Sequence, residues 1–168
     1  MGHLFSAGIL FVVLSGSQSL ASYSLCDPEK AETPTPWLQS LSGPQSSSIR
    51  YDKRMIAAAE IAAARASASS RYSCWRYVKT ALVEAHVIDS YPKTRYAKEA
   101  AVELRTDFGF KKLPYSDPYD APAGSILVYG GRGPGHIEFR SAQGFVSDFI
   151  SPKPANLPLI GIYVKPRC

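Results

Sequence analysis

The chain changes character at Pro114, and few folds accommodate the change. Before that point the apolar residues recur at helical spacing. YDKRMIAAAEIAAARASA (51–68) is alanine-rich, with Met55, Ile56, Ala59, Ala63 and Ala66 near one face, so it predicts a helix packed closely through small residues. Ser73 is placed to cap a second helix over Cys74–Val87, whose Trp75, Val78, Leu82 and Ala85 would face a core. A third helix is expected over Arg95–Asp107, with Ala97, Ala101, Leu104 and Phe108 inward and Gly109 at its stop. After Pro114 come short strands broken by turns: SILVY (125–129), HIEFR (136–140), FVSDF (145–149) and LIGIYVK (159–165). Helices first and Gly/Pro-punctuated strands second define an α+β class, N-terminal helices packed on a C-terminal antiparallel sheet.

A composition of 45% hydrophobic and 20% charged residues supports a real core. The net charge of +5 is spread over the chain without a run of like charges, and no zinc-finger, helix-turn-helix or RNA-recognition pattern occurs. Those features argue against a nucleic-acid partner and fit attraction to an anionic polymer such as a cell wall. HLFSAGILFVVLSG has the length of a signal-peptide core, and Ser19-Leu20-Ala21 offers a small-residue cleavage site, so residues 1–21 are expected to be an export signal. The expected location is periplasmic or secreted. Leu25 directly before Cys26 disfavours a lipid anchor, and no stable membrane anchor is expected. Residues 22–50, rich in Pro, Ser, Thr and Gly, read as a linker or arm, and 51–168 as the folded domain.

Export alters the meaning of the cysteines. Of Cys26, Cys74 and Cys168, the outer two lie at the ends of the mature chain, and domain termini are often close. A Cys26–Cys168 disulfide would leave Cys74 reduced. No metal-ligand spacing is present, and no cofactor is expected.

Cys74 opens a helix, where unpaired N–H groups carry partial positive charge; a thiolate there is stabilised, and the same N–H groups can hold an oxyanion. Taken alone, such a cysteine is more often a small buried hydrophobe. His136 changes the balance. It follows the tight, open GRGPG stretch and begins a strand, whereas His3 belongs to the export segment and His86 lies more than three turns along the cysteine's own helix. His136 is thus the candidate general base. Two carboxylates compete to orient it. Glu138 leaves the same face of the same strand; Asp148 lies beyond the SAQG turn, on His136's face only if paired residue numbers have an even sum.

YSCWRYVKTAL, APAGSILVY, GHIEF and FVSDF together resemble the NlpC-type papain-like cell-wall peptidases, with the CHAP amidases as relatives. The resemblance covers roughly residues 70–165. It departs from the family pattern in Ser73-Cys74-Trp75-Arg76 around the nucleophile and in Ala123-Gly124-Ser125, where an acidic residue is usual. The resemblance implies a papain-like fold and cleavage of amide bonds in peptidoglycan stem peptides by Cys74 and His136, with the family's third position falling on Asp148. It implies no cofactor. Trp75, Tyr77, Tyr115, Tyr119 and Tyr129 would suit a groove for a peptide-glycan. Two other readings remain: a catalytically silent binding or structural protein of the same fold, and a thiol transacylase.

Overall fold

The structure is a computed structural model, and it describes residues 50–167. The expected export segment, all but the last residue of the expected arm, and Cys26 and Cys168 with their pairing lie outside the described residues.

Helix α1 spans Arg54–Arg65 and buries Met55, Ala58, Ala59 and Ala62. These repeat at i, i+3, i+4 and i+7, the inward stripe of an amphipathic helix. Ile56, expected inside, is 36% exposed because it falls just off that stripe. Small side chains let α1 approach the sheet closely. At Gly124 (φ +83°) a Cβ would lie 2.8 Å from the Ile56 nitrogen, so only glycine fits where the helix start meets the strand.

Helix α2 spans Cys74–Glu84 and buries Trp75, Val78, Lys79, Ala81 and Leu82. It ends three residues short of expectation, where His86 adopts φ 54° and the Val87 N–H turns back to the Leu82 carbonyl. A 3₁₀ turn at Ala97–Glu99 leads directly into helix α3, Ala100–Thr106. Tyr96 and Glu99 form a reciprocal cap at its start.

The sheet has six strands, β1 (Lys111–Lys112), β2 (Ile126–Tyr129), β3 (His136–Ser141), β4 (Gly144–Val146), β5 (Ile150–Ser151) and β6 (Leu159–Val164). Its order is β1-β6-β2-β3-β4-β5, and every pairing is antiparallel. All four residues of β2 are buried, as a central strand demands. The expected α+β layering is therefore what the chain adopts. One expected strand is interrupted: 145–149 pairs only as far as Val146, and Ser147–Phe149 leave the ladder.

Candidate active site

Cys74 is the first residue of α2, half-buried, and has no disulfide partner among the described residues. The turn before it is held from the far side of the chain. The Asp148 carboxylate accepts hydrogen bonds from the backbone N–H of Arg71 (2.6 Å) and of Ser73 (3.0 Å), and from the Ser70 hydroxyl (3.4 Å). Its own carbonyl accepts from the Ser67 N–H at 2.8 Å, and the Ser147 hydroxyl donates to its other carboxylate oxygen. Asp148 is fully buried. Burial works against its ionisation, yet the N–H groups of Ser73 and Arg71 outweigh it and hold the carboxyl below the usual carboxylate range. Ser73 occupies the cap position without capping; its hydroxyl donates to the Arg71 carbonyl instead. Tyr72, between them, takes φ 56° and stands 97% exposed, a backbone state costing of order 1–3 kcal/mol that the Asp148 bonds maintain.

His136 begins β3, directly after Gly135 (φ +77°). A Cβ on Gly135 would come within 2.4 Å of the Tyr129 carbonyl oxygen and 2.8 Å of Lys98 Cβ. Glycine therefore sets where the imidazole starts. Its Nε2 lies 3.3 Å from Glu138 Oε2. Glu138 is buried, and its other oxygen accepts from the Tyr129 hydroxyl (2.7 Å) and the Ala155 N–H (3.2 Å). Tyr129 is paired with His136 across β2 and β3, which puts its side chain diagonal to Glu138 on the same face. Burial acts to lower the His136 pKa, but hydrogen bonds with Cys74 and Glu138, and the charges of both, overcome it and lift the pKa to about 9. Burial and the Glu138 charge together push the Tyr129 phenol far up, so it remains a donor.

Cys74 and His136 face one cleft of about 270 Å³, whose walls also include Tyr72, Arg76, Arg95 and Pro134. The wall carrying Arg95 rests on a buried polar cluster. Trp75 Nε1 donates to the Thr94 hydroxyl (3.0 Å), and the Glu103 carboxylate accepts from the Lys93 and Thr94 N–H groups and from the Thr94 hydroxyl. Lys79, only 7% exposed, donates to the carbonyls of Pro92 and Thr94 between the Trp75 and Tyr91 rings. Burial lowers the Lys79 pKa against the pull of Glu103.

The structure thus brings Cys74, His136 and Glu138 together and does not bring Asp148 to the imidazole. The two-residue turn Ala142-Gln143 gives β3 and β4 an odd-sum register, and Asp148 lies past their last pair, in the Ser147–Phe149 turn between β4 and β5, where its carboxylate meets the Arg71 and Ser73 N–H groups. Of the aromatics expected in a groove, Trp75 is largely buried but lines the cleft, Tyr129 is buried in the protein, and Tyr119 packs edge-on against Phe145. Sequence reasoning missed the tie between Asp148 and the Cys74 turn and the part Tyr129 and Ala155 play around Glu138. The available signal for Tyr129 was its position at one end of GGRGPG with His136 at the other. Among the described residues no three His, Cys, Asp or Glu side chains converge to hold a metal ion.

A helix-borne cysteine packed against an antiparallel sheet that carries the histidine is the papain-like form of the α+β class, and the chain has that fold. A chain of the crystal structure of the type VI native effector–immunity complex Tae3–Tai3 from Ralstonia pickettii is similar to it. The two share 25% identity over 66% of this chain and 98% of that one, with a TM-score of 0.54. No protein-family model matches the chain, and no curated protein does.

Proposed function

We propose that the protein is an exported cysteine hydrolase that cleaves amide bonds in peptidoglycan stem peptides. The observation that carries this reading is the His136 imidazole, which shares one cleft with Cys74 and has its Nε2 3.3 Å from the buried Glu138 carboxylate; its contacts with both lift its pKa to about 9. In the proposed step Cys74 reacts as a thiolate, with the His136 imidazolium as its proton-carrying partner. The thiolate attacks the amide carbonyl, and the Cys74 N–H at the start of α2 helps hold the developing oxyanion. His136 gives its proton to the leaving amine, and a thioester remains on Cys74. The now neutral ring takes a proton from water, hydroxide adds to the thioester, and the acid product leaves with the thiol restored. Glu138 keeps the ring oriented throughout.

A second reading has a specific motive: the similar solved complex contains an effector and its immunity protein, and a chain on this fold could serve as a binding partner with a silent thiol. One experiment separates the two. Purified peptidoglycan incubated with wild type should release new amine-terminated fragments by mass analysis, and Cys74→Ala should lower that release at least about a thousandfold. Cys74 should also be alkylated rapidly near neutral pH in the folded protein. Equal fragment release from both proteins would sink the thiolate mechanism; no release from either, with a sluggish thiol, would favour the silent partner.

A further inference from the structure

The cleft at Cys74 is not the whole of the concave surface here. A second groove, of about 540 Å³, is lined by Arg65, Arg71, Ser73, Arg76, Tyr77 and Thr80. It meets the cleft at Ser73 and Arg76, which line both. Three guanidinium groups in one groove repel one another unless anions answer them, and only Arg65 is answered, by Glu84 at 2.7 Å. Among the described residues neither Arg71 nor Arg76 makes an ion pair. The nearby carboxylate that might have served, Asp148, is occupied by backbone N–H groups. Both arginines flank the nucleophile in sequence, and the rigid turn fixed by Asp148 determines where they begin.

From this arrangement we infer that the groove is a carboxylate subsite: the substrate carries a free carboxylate, close along the chain from the cleaved amide, that docks between Arg71 and Arg76. A planar guanidinium fork matches a carboxylate with two parallel hydrogen bonds, a geometry an uncharged carboxamide cannot reproduce. Tyr77 supplies an apolar wall beside the charges. The inference deepens the proposed peptidoglycan reading, since it specifies which stem peptides the site accepts: those with their carboxylates free, and not those in which they are amidated.

The test is a binding measurement, independent of turnover. The full chain carrying Cys74→Ala is titrated by calorimetry with one synthetic stem tetrapeptide, first with its carboxylates free and then with each as carboxamide. The free form should bind about tenfold more tightly at low salt, with the gap narrowing as salt screens the charges. Adding Arg71→Gln and Arg76→Gln should close the gap while leaving the thermal midpoint unchanged. Equal binding of the two forms, failure of the free form to bind, or a gap that survives both substitutions would overturn the subsite. Hydrolysis by wild type is scored separately. Cleavage of both forms with equal kcat/KM would retain the hydrolase and remove the subsite; preferential binding without any cleavage would do the reverse.

Discussion

At the scale of single residues, the site turns on which carboxylate meets the imidazole. Glu138 Oε2 is the group at Nε2, and its second oxygen is held by Tyr129 and the Ala155 N–H, so it cannot swing away. Glu138→Gln keeps the shape and removes the charge. An orienting group acts on turnover more than on affinity, so we expect kcat to fall roughly ten- to a thousandfold with KM little changed. The pH profile gives an independent check. A His pKa raised to about 9 means that protonated ring, needed to release the amine, persists below that pH, and activity is lost as pH rises through it. Without the Glu138 charge the pKa drops, and the alkaline limb should move down by about one unit or more. A limb that stays near 9 in Glu138→Gln would remove Glu138 from this role. Tyr129→Phe should act in the same direction, more weakly.

The elements explain why Asp148 matters in a different way. It joins the connection between α1 and α2 to the end of β4, and three groups of the 70–73 turn depend on its carboxylate. Asp148→Ala strands two backbone donors, so we expect a loss of about 2–4 kcal/mol by chemical denaturation, with lowered activity following from a displaced Cys74. Its depressed pKa fixes the pH sign: the stabilisation is complete above the ordinary carboxylate value and disappears as pH falls through the lower folded value. Wild type should lose stability in acid, and Asp148→Ala should show a shallower acid limb, the remainder coming from groups such as Asp52; an unchanged limb would contradict the assignment. Much of the element plan was legible in the sequence, because Trp75, Val78 and Leu82 or Ala97, Ala101 and Leu104 repeat over whole helical turns. Strands β1 and β5, two residues each, are too short to carry any period. The part played by Asp148 was hidden because the strand expected over 145–149 stops at Val146, so the Ser147–Phe149 turn, which carries no period, sets where the carboxylate points. Lys79 and Glu103 were hidden too, since a helix sequence does not reveal which of its charges are drawn inside by a neighbouring loop's carbonyls and N–H groups.

For the molecule as a whole, the decisive strand is β6. It is the last strand in chain order, yet it lies inside the sheet, bonded to β1 on one side and β2 on the other. β2 in turn carries the pairing that places His136. A chain cut after Ser151 loses this strand and leaves β1 with no partner and β2 with an open edge. We expect such a chain to unfold without a cooperative transition by circular dichroism; a sharp melt would show that β2–β5 with the helices suffice. The order of manufacture then acquires a meaning. A ribosome delivers the thiol early, the base later, and the strand that secures the base's support last. On the proposed chemistry, the growing chain gains its activity only when β6 is in place, so latency during synthesis follows from reading order.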